Sequence, residues 1–345
     1  MKPKILVTGG AGYIGSHTAV ALAAAGYEPI LVDNFANSSE KVLQGLAQIL
    51  QYKPAFYEAD CTDRSAMEAI FQKESNLKGV IHFAAYKAVG ESVAEPLKYY
   101  HNNLDSLLVL LDLMQQYGVA ELVFSSSCTV YGQPDALPVT EQSPIKPANS
   151  PYGRTKQICE DILQDAVSSG RKLKAVALRY FNPVGAHPSA LIGELPNGVP
   201  NNLIPFVTQT AAGLRQKLTV FGEDYNTPDG TCVRDYIHVM DLADAHIRAF
   251  EYLRDTAENS FYDVVNVGTG QGNTVLEVIR TFEAVSGQSL NYQIGPRRPG
   301  DVEKVWADVG KANKVLGWQT QHSLEDALRD SWRWQQKITA EQKNG

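Results

Sequence analysis

The chain is short of the features that mark a metal module, a nucleic-acid binder or a membrane protein. Four cysteines occur in 345 residues, Cys61, Cys128, Cys159 and Cys232, with no C-x-x-C pair and no histidine at ligand spacing. That pattern excludes a zinc module, predicts no metal site, and leaves reduced structural thiols as the reading. Dense runs of lysine or arginine are missing, and the formal charge of 31 − 38 = −7 offers no footprint for nucleic acid or an anionic membrane. The first apolar run, Ile5-Leu6-Val7, meets Gly9-Gly10 almost at once, too short for a signal peptide or a span, so a cytoplasmic protein is expected. Repeats and low-complexity tracts are absent as well. What remains is an ordinary globular composition, 44% hydrophobic and 20% charged, at a length that suits one large α/β unit with an appended lobe.

Lys4 to Thr8 reads as a buried strand, Gly9-Gly10-Ala11-Gly12-Tyr13-Ile14-Gly15 as a glycine turn, and Ser16 to Ala25 as a helix closed by Gly26. A second strand, Ile30-Leu31-Val32, ends at Asp33. Glycines let backbone approach a pyrophosphate, whose charge the helix N-terminus holds, while an acid at the end of the second strand accepts from the adenosine ribose hydroxyls. A carboxylate there repels a 2′-phosphate, so the cofactor predicted is NAD. The turn contains both G-x-x-G-x-x-G from Gly9 and G-x-G-x-x-G from Gly10. The first of these, beginning T-G-G, resembles the extended short-chain dehydrogenase/reductase superfamily.

Further strands are predicted at 80–84, 122–125 and 175–179, with an amphipathic helix over 99–117 whose Leu104, Leu107, Leu108 and Leu111 share one face. This alternation predicts an α/β fold, a doubly wound parallel Rossmann sheet. Residues 132–151 hold five prolines and read as a loop. After Tyr180 the alternation stops, so the domains expected are 1–180, binding NAD, and 181–345, a smaller mixed substrate lobe. A strand at 264–267 is a candidate to return to the first sheet.

Ser150-Pro151 is a helix start, and Tyr152 and Lys156 follow one turn apart on one face, where an ammonium lowers the cost of a tyrosinate. A Tyr-x-x-x-Lys match arises about once by chance in such a composition, so the weight lies in its position, after a strand ending in Ser125-Ser126-Ser127 and downstream of the nucleotide turn.

Taken together, Thr8 to Gly15, Ser125 to Gly132, Tyr152 to Lys156, Arg179 to Ala186 and Val233 to Val239 closely resemble the UDP-glucose 4-epimerase family, also called UDP-galactose 4-epimerase, nearly end to end. The resemblance implies an isomerase with Tyr152 as base, Lys156 as its electrostatic partner and Ser127 bridging Tyr152 to the sugar. It implies NAD contacts from Gly9, Gly12, Tyr13, Ile14, Gly15, Asp33, Asn34, Asn37, Ser38, Asp60, Cys61, Phe83, Ala84, Lys87, Asn102 and Phe181, besides Tyr152 and Lys156. For the UDP-sugar it implies Ser127, Asn182, Asn202, Leu203, Phe221, Arg234, Tyr236, Arg298 and Asp301, where two guanidinium forks neutralise a diphosphate that the net charge alone would repel. Val305, placed against the sugar's C2 substituent by the match of Arg298, Gly300 and Asp301, bears on whether N-acetylated sugars are accepted. The resemblance also implies a homodimer joined through the helices that carry Tyr99 and Tyr152.

Two rivals share the fold. A nucleotide-sugar 4,6-dehydratase needs an Asp-Glu pair after the strand-end hydroxyl, where Cys128-Thr129 stands here. A dinucleotide-sensing regulator needs no Tyr/Lys pair, yet Tyr152, Lys156 and Ser127 are all present.

Overall fold

The structure, a computed structural model, describes residues 2–298 and 301–344. Its first half runs β1 (Lys4–Thr8), α1 (Tyr13–Ala24), β2 (Glu28–Asp33), α2 (Glu40–Leu50), β3 (Ala55–Glu58), α3 (Arg64–Lys73), β4 (Leu77–His82), α4 (Val89–Ala94), α5 (Pro96–Tyr117), β5 (Glu121–Ser125), α6 (Pro151–Ser168) and β6 (Lys174–Tyr180). The second half runs β7 (Asn182–Val184), α7 (Leu203–Ala211), β8 (Leu218–Phe221), β9 (Val233–Arg234), β10 (Tyr236–His238), α8 (Val239–Asp255), β11 (Phe261–Val267), β12 (Asn273–Thr274), α9 (Val275–Ser286), β13 (Tyr292–Gly295), β14 (Lys304–Val305), α10 (Gly310–Leu316) and α11 (Leu324–Asn344). Seven strands form one parallel sheet in the order β11-β6-β5-β4-β1-β2-β3. The doubly wound parallel sheet predicted from the alternating pattern is therefore present.

The order reverses between β1 and β4, and a doubly wound sheet opens a ligand crevice at such a switch point. Both faces of the sheet are covered. On one, Ile5, Val7 and Leu31 pack with Ala19 and Leu22 of α1 and with Phe250 and Leu253 of α8. On the other, Leu6, Ile30 and Val80 meet Met67 and Phe71 of α3, Leu107 and Leu111 of α5, and Leu163 of α6. Each fully buried side chain of this size contributes roughly 1.5–3 kcal/mol against leaving it exposed.

The second half holds a long helix its texture did not announce, α8, which covers the first sheet and sets Phe250 edge to face with Tyr27 at 5.5 Å; the strand expected at 264–267 is β11 and does return to that sheet. Strand β11 pairs in parallel with β6, Val264 opposite Ala177 and Val267 opposite Tyr180. The remaining short strands form β7-β10, β12-β9-β14 and β8-β13 over a core of Val207, Val220, Ile279, Phe282 and Leu328.

Two local expectations change. Helix α1 begins at Tyr13 instead of Ser16, since Gly12 is already extended at φ −73°, ψ 174° and serves as N-cap without a side-chain bond. The α5 stripe is split: Leu107 and Leu111 are buried, whereas Leu108 is 46% exposed and Leu104 half-buried, because Asn103, Leu110 and Met114 share the inward face. Leucine spacing marks an apolar stripe but not which side of it the core takes.

Candidate active site

The glycine turn is shaped by its own packing. A Cβ on Gly15 would lie 2.2 Å from the Gly9 carbonyl oxygen, and Gly9 itself sits at φ +68° with the Ala84 amide 2.9 Å from where its Cβ would be. These contacts press α1 onto β1 and press the turn onto the end of β4, where the Phe83 amide donates to the Thr8 carbonyl at 3.0 Å. The uncapped first turn of α1 thus points at the β1–β4 crevice, which suits a diphosphate.

Asp33 closes the far side of the turn. Its Oδ2 accepts from the Ala11 amide at 3.1 Å, and its Oδ1 from the Phe35 amide at 2.9 Å and the Ser38 hydroxyl at 2.7 Å. A carboxylate has about four acceptor positions, so one remains for a ribose hydroxyl. Beside it, exposed Asn34 donates to Asp60 Oδ2 at 3.1 Å; burial raises the Asp60 pKa, but the Thr62 hydroxyl and amide and the Asn34 amide outweigh it and lower the value. Asn37 is exposed, and Cys61 packs into the apolar layer, where burial pushes its thiol well above the usual range. These residues fit an adenosine dinucleotide with free ribose hydroxyls.

At the other end of the crevice stands the Tyr152 helix. The Ser150 hydroxyl caps α6 by accepting from the Gly153 amide at 3.2 Å, which sets Tyr152 in the first turn and Lys156 in the second. Ser127 ends the β5 segment and caps the next short turn, accepting from the Thr129 amide at 3.2 Å. Burial raises the Tyr152 phenol far above its ordinary value, opposed by the hydrogen bond from Ser127. Burial likewise lowers Lys156, to about 8. Its ammonium donates to the Ser125 carbonyl at 2.6 Å and lies 4.8 Å over the Phe124 ring, and 6.0 Å from the Tyr152 ring centre. The spacing argument predicted direct relief of the phenol by Lys156, and the geometry shows the strand-end carbonyl as its first partner.

The cofactor-side and sugar-side candidates meet in several places. Tyr13 donates from its hydroxyl to the Gly185 carbonyl at 2.8 Å, joining the glycine turn to the second lobe. Lys87 and Asn202 converge on Glu194, at 3.6 Å and 2.7 Å. Asn102 donates to Asn103 Oδ1 at 2.9 Å, while Asn103 itself bonds the Tyr86 backbone and the Thr155 hydroxyl, pinning the loop after β4 to α6. Ile14 packs against the core, and Ala84 lies under the turn.

On the sugar side, Arg298 grips Asp301 with both ends of its fork, at 3.1 Å and 2.6 Å, and lies over the half-exposed Phe221 ring at 5.7 Å. Arg234 reaches the same carboxylate at 3.8 Å, so Asp301 holds two guanidinium groups together and leaves a net positive charge. Val305 stands opposite Arg234 in the β14–β9 pairing and packs with Phe181, 6% exposed. Tyr236 is buried, with its phenol pushed up to about 12, Leu203 packs against the second core, and the Asn182 amide donates to the Asp235 carbonyl at 3.0 Å. Gly300 lies outside the described residues. Asn103, Glu194 and Asp235 were missed; their only trace in the sequence is an ionisable or amide residue beside a motif. Among the described residues no cluster of metal-ligating side chains occurs, the four cysteines are free, and no helix is long and apolar enough to cross a membrane.

A family model described as GDP-mannose 4,6 dehydratase matches residues 6–331. The chain is 52% identical to the UDP-glucose 4-epimerase of Bacillus subtilis and 51% identical to that of Dictyostelium discoideum, covering 96% of this chain in both and 96% and 95% of the relatives. Among solved structures, a Stenotrophomonas maltophila UDP-glucose 4-epimerase with bound NAD and formylated UDP-arabinopyranose superposes at a TM-score of 0.94 with 47% identity, covering 98% of this chain and 99% of that one. The Bifidobacterium longum enzyme with NAD+ and UDP gives 0.92 at 47% identity, covering 97% and 98%. A Campylobacter jejuni UDP-Glc/GlcNAc 4-epimerase gives 0.82 at 38% identity, covering 97% and 99%.

Asp33→Ala removes the acceptor of three protein donors and the carboxylate expected to hold the ribose. It is expected to cost about 1–3 kcal/mol in urea unfolding and to leave the purified protein with less NAD. Full NAD content in the folded variant would show the ribose assignment to be wrong.

Proposed function

The chain belongs to the nucleotide-sugar family described as GDP-mannose 4,6 dehydratase and, within it, to the UDP-glucose 4-epimerases, and we propose that it interconverts UDP-glucose and UDP-galactose by inverting C4. The observation that carries this reading is Tyr152 one helical turn from a buried Lys156 on α6, at the crevice that the uncapped glycine turn faces. NAD held by the glycine turn and Asp33 would supply a reversible hydride acceptor for C4. Tyr152 takes the proton of the sugar's 4-hydroxyl and gives it back to the same oxygen, so the phenol ends each cycle as it began. Ser127 orients that hydroxyl. Because burial disfavours the tyrosinate, the base form depends on positive charge close by, and Lys156 supplies it from the Ser125 carbonyl. Arg234 and Arg298 hold the diphosphate while the planar 4-keto sugar turns about its phosphate linkage and presents its other face. Dehydration would require an acid at 128–129, where Thr129 has none and burial pushes the Cys128 thiol up to about 12.

The N-terminal part, 1–180, serves NAD and 181–345 the UDP-sugar, with β11 lent back to the first sheet. A homodimer is proposed on the outer faces of α5 and α6, where Leu97 is 71% and Leu108 46% exposed and Ile158 and Ile162 are half-buried. The cytoplasm is the proposed compartment.

Purified protein incubated with UDP-galactose and no added NAD should form UDP-glucose by nucleotide-sugar chromatography. Tyr152→Phe should lower turnover by about 10² to 10⁴ while UDP still binds, whereas wild-type turnover would remove Tyr152 from its role. A requirement for added NAD with matching NADH release would mark a dehydrogenase instead.

Val305 bears on the sugar's C2 substituent. A tyrosine at this packed position adds most of an aromatic ring, and an apolar pocket discriminates by about 1–3 kcal/mol per small group. UDP-N-acetylglucosamine is therefore expected to be epimerised more slowly than UDP-glucose, and Val305→Tyr to abolish that side activity alone. Equal loss of both activities would refute the role of Val305.

A further inference from the structure

Tyr152, Lys156 and Glu160 follow at successive four-residue steps on the buried side of α6. The Glu160 carboxylate accepts from the Ser126 hydroxyl and is gripped by Arg179 of β6, Nε to Oε1 at 3.0 Å and Nη2 to Oε2 at 2.5 Å. Arg179 also donates from Nη1 to the Tyr131 hydroxyl at 3.0 Å, and that hydroxyl donates to Asn266 Oδ1 of β11 at 2.6 Å. Glu160 and Arg179 are 7% and 6% exposed. An ion pair that deep adds little net stability, because desolvation offsets the attraction and an apolar pair of equal volume packs at least as well. What it supplies is direction.

Ser126 sits between the two strand-end residues that the reaction uses. On one side, the Ser125 carbonyl takes the Lys156 ammonium at 2.6 Å; on the other, the Ser127 hydroxyl lies near enough to Tyr152 to lower its phenol pKa against the effect of burial. The Ser126 amide is already held by the Leu178 carbonyl at 3.0 Å, so its hydroxyl is free to reach across to α6. We propose that Glu160, oriented by Arg179 and bonded to Ser126, is a positioning residue that fixes the end of β5 against the helix carrying Tyr152 and Lys156. The proposal rests on the epimerase reading for the reaction it serves. Glu160 also opposes the charge of Lys156, whose other titratable neighbours are Cys159 and Tyr152 on α6 and His82 on β4. Losing that anion lets the ammonium deprotonate at lower pH, so the alkaline limb of activity moves down.

The test compares Ser126→Ala, Ser126→Cys and Glu160→Gln in the NAD-loaded enzyme. Ser126→Ala should lower kcat by about 10- to 100-fold with KM for UDP-galactose within about threefold and NAD content unchanged, since displacement near 1 Å costs that much. Ser126→Cys, keeping a weak donor of similar shape, should fall between. Glu160→Gln should lower kcat and shift the alkaline limb downward, which Ser126→Ala should not do. Hydrogen exchange over 126–130, measured without substrate, should quicken in Ser126→Ala. Full kcat in Ser126→Ala, or a loss that only follows lost NAD or folded protein, overturns the proposal. If Glu160→Gln does not fold because Arg179 is stranded, the two Ser126 variants decide. An inactive wild type would count against the epimerase reading, and the exchange comparison would then decide the clamp by itself.

Discussion

A lysine ammonium held in a nearly dry interior is the constraint around which the site is arranged. Lys156 is 4% exposed, and a charge so placed needs every partner it can find. It finds the Ser125 carbonyl, the face of Phe124 and the negative charge of Glu160. Each of these lies on β5 or α6, so stabilising the ammonium also locks the strand end to the helix. Tyr152, one turn away on α6, and Ser127, two residues past the end of β5, inherit that geometry. The electrostatic requirement of the base and the mechanical requirement of the scaffold are met by the same few contacts.

On the proposed reading, two lobes contribute opposite halves of one ligand environment. The first lobe offers helix-terminal amides and Asp33; the second offers Arg234 and Arg298, brought together by Asp301. Between them, Tyr13 to Gly185 and Lys87 with Asn202 on Glu194 tie the cofactor side to the sugar side. A net charge of −7 is no obstacle to a dianionic ligand when guanidinium groups are concentrated where it sits. The proposal that the diphosphate is held while the sugar turns draws its support from this arrangement.

Features set by neighbours in sequence were readable from it. The glycine turn, Asp33 at the end of β2, the Ser150 cap of α6 and the i, i+4 placement of Tyr152 and Lys156 all depend on local spacing. Contacts between distant segments were not. Ser126 and Glu160 are 34 positions apart, and nothing in either neighbourhood records the bond. Asn102 and Asn103 are indistinguishable by type, yet Asn103 makes the bridge to Thr155 because the helical turn faces it inward. The inward side of the α5 leucines and the packing of α8 onto the first sheet depend in the same way on partners that spacing does not name.

On the proposed route the C4 hydrogen leaves and returns within the crevice while Tyr152 shuttles only the hydroxyl proton. UDP-galactose carrying deuterium at C4, converted in ordinary water, should give UDP-glucose that keeps its deuterium at C4 by mass spectrometry and proton NMR. Replacement of that deuterium by solvent hydrogen would contradict hydride return and require a different route to inversion.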